Sequence, residues 1–350
     1  MPRSDDPYLQ TNGTLRNKLG ITDQALLSLA EADLVAARAK LIELNLPRPP
    51  FSFDTLKVIH HELFQDVYTW AGQARTTPIG KCEYDDPASR VQMFAAPDTI
   101  EARANALFRS LAEQNFLAGT SRDGFAAGAT AVFAELNAIH FAREGNGRTN
   151  RLLLSAMAAN AGHTLAFDVI TRERMIAVSV GAHEGDPLGV QHMFDEILDP
   201  RQVAAMRKAI DFLRDSTAPW NDLYISTTRA GQDYEGILVG RAGEDFMLRV
   251  RHGDDTRLVV GDASDLAADA DSGSSVRFQA LHFGALSVGT PRVRSESSPL
   301  AERIAVLEGQ LAAKRQQGQG DMSPPASPHP TQADETDPED APHAPPGPRP

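Results

Sequence analysis

The sequence predicts a mainly α-helical domain over residues 1–215, then a small all-β barrel of OB-like type over 216–292. An amphipathic helix over 298–317 and a disordered tail over 318–350 complete the chain. Three observations carry this reading. Apolar residues recur at helical spacing as far as about residue 215. From Ser216 the apolar period shortens to two and glycine-marked turns appear. Beyond Gly318 the chain is rich in Pro, Ser, Asp and Glu, a composition that buries too little apolar area to offset chain entropy.

The helices follow in order. Leu26, Leu29, Ala30, Leu34, Ala37 and Leu41 form a first stripe, and Leu56, Ile59, Leu63 and Val67 a second. Pro78, Gly80, Asp85, Asp86 and Pro87 then mark an irregular or strand-like segment. Ile100, Ala104, Leu107 and Leu111 make the third stripe, and Phe125, Ala129, Val132, Leu136 and Ile139 the fourth. Asp98 and Asp123 stand where N-caps would. A helix over 146–161 closes on Gly162 as its C-terminal cap, with shorter helices near 171–181, 188–197 and 201–214. Strands are expected at 224–228, 235–240, 246–251, 257–260 and 276–281. In the third of these, Phe246, Leu248 and Val250 alternate with Met247, Arg249 and Arg251. OB-like barrels often bind nucleic acid. The acidic neighbours Asp262, Asp265, Asp269 and Asp271 favour a structural or docking role here.

Charge and cysteine content narrow the function. A net charge of −13 and a sequence pI of 5.2 give no general attraction to nucleic acid or anionic lipid. The single cysteine, Cys82, allows no internal disulfide and fits a reducing cytoplasm. The start of the chain lacks the apolar stretch of a signal peptide. No apolar run approaches the roughly 18 residues of a membrane helix. A protein soluble and cytoplasmic where it is made is expected, with no membrane partner.

The chemistry concentrates in His140-Phe-Ala-Arg-Glu144-Gly145-Asn146-Gly147-Arg148-Thr-Asn-Arg151. One helix ends near His140 and another begins near Asn146. The turn between them asks Gly145 and Gly147 for unusual backbone angles. A helix N-terminus follows, with free N–H groups and a partial positive charge that favour an anion. Arg148 and Arg151, three apart, project to one side. Two guanidinium forks beside such a turn suit a polyphosphate. Glu144 among these cations is placed to hold a hard cation such as Mg²⁺. His140 supplies a base whose ordinary pKa of about 6.5 suits proton transfer near neutrality. Together these parts describe nucleotidyl or phosphoryl transfer to a hydroxyl.

Two other motifs fail. Gly145-Asn-Gly147 begins like G-x-G-x-x-G, and Asp168 lies about 20 residues on, as a dinucleotide fingerprint asks. Asn150 takes the third glycine position, however, and a helical segment precedes the motif where a strand is required. His61-Glu62-Leu-Phe-Gln65 lacks the second histidine of H-E-x-x-H, so no zinc protease is read from it. His60, His61, His163 and His192 are assigned to packing or surface.

The segment 140–151 resembles the Fic motif, H-x-F-x-[DE]-G-N-G-R-x-x-R, and the chain is similar to this family of protein adenylyltransferases over roughly residues 8–215. Val67-Tyr-Thr-Trp70-Ala-Gly72-Gln-Ala-Arg75-Thr resembles the family's approach to its target-docking flap, near 75–84, with Ile79 and Lys81 as flap residues. A Fic domain with a β-barrel behind it resembles type IV secretion effectors of Bartonella and conjugation-linked toxins.

The resemblance implies a helical Fic fold and transfer of AMP from ATP to a Tyr, Ser or Thr hydroxyl of a target protein. His140 would act as base and Glu144 would hold Mg²⁺ between the α- and β-phosphates. Gly145, Asn146 and Gly147 would cradle those phosphates, Arg148 would bind the β-phosphate and Arg151 the γ-phosphate. Thr77, Ile79, Gly80 and Lys81 would pair with an extended target segment, Ile79 clamping the modified side chain. Targets in this family include DNA gyrase, topoisomerase IV and host GTPases, and export by a type IV secretion system is implied as an option.

Two departures qualify the resemblance. Ala142 stands where the family has Phe, and Phe141 where Pro is common. Either Phe141 takes over the anchor or the loop is looser, and a lost Phe contact would cost about 3–5 kcal/mol. No good match to the inhibitory [ST]-x-x-x-E-[GN] helix is found. Ser298-Pro-Leu-Ala-Glu302 has the spacing, but Arg303 follows. A separate small antitoxin is the expected restraint. The alternatives are a Fic transferase using another nucleotide donor and a catalytically weak Fic binding or secretion module.

Overall fold

The computed structural model describes residues 6–82, 91–253, 255–283 and 294–296. The expected helix over 298–317, its Ser298–Glu302 segment and the tail over 318–350 lie outside the described residues.

Among the described residues eight α-helices follow one another: α1 (Gln24–Leu44), α2 (Phe53–Phe64), α3 (Ile100–Glu113), α4 (Arg122–Ile139), α5 (Asn146–Ala161), α6 (Arg172–His183), α7 (Leu188–Ile197) and α8 (Pro200–Asp215). Their apolar faces share one core, with Phe64, Phe125, Leu153, Leu154, Met157, Phe194 and Met206 fully enclosed. Gly162 ends α5 in a left-handed conformation, as its position predicts. Asp98 and Asp123 do not cap. Asp98 lies in a short 3-10 turn, and Thr99, whose hydroxyl donates back to Ala96 O at 2.8 Å, does not cap α3. The Ser121 hydroxyl caps α4 instead, which puts Asp123 in the first turn, where a carboxylate still suits the helix dipole.

The stripe expected on α1 is displaced by one residue. Leu26 and Leu29 are 54% and 67% exposed, whereas Leu27, Glu31 and Val35 face inward. The i, i+4 spacing of these three puts a carboxylate on the buried face. Local periodicity could not choose between the two registers, because both faces of α1 carry leucines and alanines.

Between α2 and α3 the chain makes a hairpin of β1 (Gly80–Cys82) and β2 (Val91–Met93), antiparallel, with Gly80 opposite Met93 and Lys81 opposite Gln92. After α8 come β3 (Tyr224–Thr227), β4 (Asp233–Ala242), β5 (Asp245–His252), β6 (Asp255–Asp262), β7 (Ser275–Gln279) and β8 (Arg294–Glu296). Their order is β3-β6-β5-β4-β7-β8, with β3 parallel to β6 and the other pairs antiparallel.

This is a mixed open sheet and not the closed OB-like barrel the alternation suggested. No ladder joins β3 to β7 or β8 among the described residues. The reason lies in β5. Phe246 and Leu248 pack into a second small core with Leu266, Val276 and Phe278, while Met247, on the opposite face, joins the helical core. Helix α8 covers that face, with Ala205 and Ala209 in the same buried cluster as Met247 and Val260. A sheet whose second face is covered by a helix needs no closure to bury it. Among the described residues no helix is long and apolar enough to cross a membrane.

The sheet meets the helices through a fully buried ion pair. Arg174 of α6 donates to Glu196 of α7, and Arg174 Nη1 donates to the Ile225 carbonyl at 3.0 Å. Thr227 donates its amide and hydroxyl to the same carboxylate, the hydroxyl at 2.8 Å. Removing one partner leaves the other charge buried and uncompensated. Glu196→Ala is therefore expected to lose about 3–5 kcal/mol of unfolding free energy in a urea titration, and Arg174→Met/Glu196→Leu to recover most of it.

Candidate active site

The turn between α4 and α5 carries the residues that the sequence singled out. Helix α4 stops at His140, whose backbone is left-handed at φ 45°, and α5 starts after Gly145 at φ 87°. A Cβ on Gly145 would lie 2.2 Å from the Phe64 ring, so this position accepts only glycine. Gly147 differs from expectation. It is helical, with ordinary space around it, and a Cβ there would sit 3.7 Å from Arg151 Nη1. Its value is local room at the helix start, not backbone freedom.

The two helix ends are treated unequally. Carbonyls at the end of α4 find donors on the chain that flanks the hairpin. Ala95 N–H donates to Ala138 O at 3.0 Å, and Arg75 N–H to Phe141 O at 2.8 Å. The Arg75 guanidinium, 2% exposed, donates from Nε to His140 O at 2.8 Å and from Nη2 to Ile139 O at 3.4 Å. It also holds Thr77 O at 2.9 Å and Ala95 O, the two sides of the hairpin base. At the start of α5 no side chain caps the helix. Among the described residues the amides of Asn146, Gly147 and Arg148 have no partner. The Asn146 side chain is spent within the turn, accepting from Ala142 N–H at 2.9 Å and donating to Ala142 O at 2.8 Å.

Behind the turn, His60 accepts from Gly72 N–H at 2.8 Å on Nδ1, which leaves Nε2–H to donate to Glu144 O at 2.9 Å. Burial pushes this imidazole down to about 4, so it is neutral. Phe141 is fully buried, edge-on to Phe53 at 5.6 Å and to His60 at 5.3 Å. It supplies the aromatic anchor that Ala142, also buried, does not, so the loop keeps its core contact one residue early.

Among the described residues Arg148 is paired and Arg151 is not, while Arg143 of the same turn pairs with Asp6 at 3.1 Å. Arg148 Nη2 donates to Glu31 of α1 and lies 3.3 Å from Glu144 Oε1, with its guanidinium 4.8 Å over the Phe64 ring. Glu31 also receives the Tyr68 hydroxyl, whose pKa is raised by burial and then by that bond. Arg151, three residues on, has no carboxylate in ion-pair range among the described residues. Burial and then the Arg148 charge hold it below its ordinary value. Both arginines line an open groove of about 580 Å³ with Ala32, Val35 and Ala39. Glu144 Oε1 accepts Gly145 N–H at 2.8 Å. Its Oε2 has no partner among the described residues.

His140, Glu144, Gly145, Asn146, Gly147, Arg148 and Arg151 therefore meet at one turn. Thr77, Ile79, Gly80 and Lys81 lie on the hairpin tied to it by Arg75. Glu83 and Tyr84, at the end of the expected flap, lie outside the described residues. Sequence reasoning missed Glu31 and Phe94. Glu31 could have been found only as a lone acid at i, i+4 between Leu27 and Val35. Phe94 carried no signal. Its ring stacks on His140, centroids 3.8 Å apart.

The sequence profile of the Fic/DOC family matches residues 50–158. The chain is 34% identical over 250 residues to a protein adenylyltransferase of Bartonella henselae, which covers 68% of this chain and 45% of that protein. It thus spans less than half the length of that relative. A probable protein adenylyltransferase of Sinorhizobium fredii is 38% identical over 173 residues, 49% of this chain and 84% of its own length. Among solved structures, the type IV secretion system effector protein BepA superposes with a TM-score of 0.69 at 30% identity, covering 78% of this chain and 96% of that one.

The neutral His60 sets a pH dependence. Its ordinary value is 6.5 and its folded value about 4, so between these the unfolded chain binds more protons. Stability is complete above about pH 6.5 and falls as the pH drops toward 4, by up to about 3 kcal/mol from this residue. His192, also lowered to about 4 by burial, adds in the same direction. Urea titrations at pH 7, 5.5 and 4.5 should show this loss, with a shallower acid slope in His60→Asn. An unchanged slope would contradict a buried neutral imidazole.

Proposed function

The chain belongs to the Fic/DOC family, and on that premise we propose that it transfers AMP from ATP to a hydroxyl of a target protein. The observation that carries this reading is the asymmetry of the turn. The carbonyl end of α4 is capped by Arg75, while among the described residues the amide end of α5 has no partner and the neighbouring Arg151 no carboxylate. Open amides at a helix start, a dipole of matching sign and a half-buried cation without a carboxylate together call for a polyanion.

In this reading the amides of Asn146 and Gly147 receive the α- and β-phosphates. Arg148 turns its remaining N–H groups to the β-phosphate while Glu31 keeps hold of Nη2. Arg151 takes the γ-phosphate. His140 removes the proton from a Tyr, Ser or Thr hydroxyl, whose oxygen forms a bond to the α-phosphorus as pyrophosphate leaves. Glu144 Oε2, without a partner among the described residues, would hold Mg²⁺, which would help neutralise the phosphate charge. The hairpin, with Gly80 and Lys81 on β1, offers an edge for an extended target segment, and Ile79 stands at its start to clamp the acceptor side chain. Named relatives that are adenylyltransferases, and a secreted effector of similar structure, support a protein-modifying effector. The groove that Arg148 and Arg151 line leaves room for a small inhibitory partner beside Arg151. The buried Phe141 speaks against a weak, loosened site.

Incubating the full chain with a bacterial lysate and ATP labelled at the α or the γ position tests the reaction. Label should reach protein only from the α position, His140→Ala should lower transfer about 10²–10⁴-fold, and chelation of Mg²⁺ should abolish it. Transfer of γ label would mean the opposite orientation of ATP and would overturn the assignment.

A further inference from the structure

Phe94 follows β2, where the returning arm of the hairpin crosses the end of α4. Its ring lies flat on the His140 imidazole, with the planes 10° apart. The His183 ring, at the end of α6, meets it edge-on at 5.5 Å. Its amide donates to Ile79 O at 3.2 Å, inside the segment read as the target clamp, and its neighbour Ala95 is tied to Ala138 and Arg75. Phe94 is only half-buried and stands outside the enclosed core. Helix packing therefore does not explain an aromatic ring at this position.

His140 needs such a neighbour. Its left-handed backbone places it past the last helical residue, so the helix does not dictate how its ring turns. A general base must bring one nitrogen within about 2.6–3.2 Å of the proton it removes. Rotating an imidazole about its bond to Cβ carries that nitrogen away from the acceptor. A flat ring in face contact resists the rotation, because stacked planes cannot turn past one another without separating.

We infer that Phe94 is a positioning residue for the transfer: it fixes the plane of the His140 ring and, being on the hairpin arm, joins target docking to the orientation of the base. The inference rests on the reading of His140 as the base. The proton passes from the acceptor hydroxyl to the imidazole as the oxygen–phosphorus bond forms and the bond to pyrophosphate breaks. Phe94 touches the imidazole but makes and breaks none of these bonds, so its loss should lower the rate of transfer and leave ATP binding intact.

Phe94→Leu and Phe94→Tyr, in the full chain, test this with α-labelled ATP and a fixed amount of bacterial lysate as acceptor source. Calorimetry with ATP and Mg²⁺ gives the Kd of each variant. Phe94→Leu should lower the maximal transfer rate about 10- to 100-fold, as expected for a misplaced reacting group. Its Kd for ATP should stay within about twofold. Phe94→Tyr, which keeps the ring, should retain the rate within about threefold. A wild-type rate in Phe94→Leu, or an equal loss in Phe94→Tyr while the melting curve is unchanged, overturns the inference and leaves the function standing. A Kd that weakens in proportion to the rate overturns it too. If the wild-type chain itself transfers no α label, the function falls and the inference falls with it. Should Phe94→Leu not fold, Phe94→Met, of similar bulk but without a flat face, takes its place with the same expected loss of rate and unchanged Kd.

Discussion

Helix ends leave backbone groups unsatisfied, and the site depends on how this chain disposes of them where α4 and α5 meet. The buried Arg75 takes up the carbonyls of Ile139 and His140 with its side chain and that of Phe141 with its own amide. No carboxylate is needed, because the same guanidinium is completed by the carbonyls of Thr77 and Ala95. One side chain thus closes the negative end of α4 and fastens the hairpin to it. Among the described residues the positive end of α5 is left without a partner, and the proposed phosphate site rests on that inequality.

Around this joint the packing holds the turn rigid from behind. Phe64 leaves no room for a side chain at Gly145, Phe141 fills the space between Phe53 and His60, and the neutral His60 links Gly72 to Glu144. Glu31 of α1 holds Arg148 and is itself held by the Tyr68 hydroxyl, from the segment after α2. For the proposed transfer such packing matters, because groups already held in order are a large part of what a site contributes to rate. The open sheet lies elsewhere, against α8, and joins the helices through Arg174 and Glu196.

The motif was legible because its parts are local. Seven of its residues fall within one turn and the start of one helix, so spacing alone puts them together. Helix boundaries at Ile139, Asn146 and Ala161 followed from apolar period and a C-terminal glycine. What stayed hidden is long-range. Glu31 meets Arg148 across 117 positions, and Arg75 meets His140 across 65. Phe94 stacks on His140 with nothing in the sequence to announce it. The barrel was misread for a related reason: alternation in β5 shows that two faces differ, but not that α8 covers the one bearing Met247.

A structure of the full chain with a non-hydrolysable ATP analogue and Mg²⁺ tests the central claim most directly. The expected result puts the α-phosphate on the amides of Asn146 and Gly147, facing His140, with the γ-phosphate at Arg151. A nucleotide seated in another groove, or one whose γ-phosphate faces His140, would contradict the account.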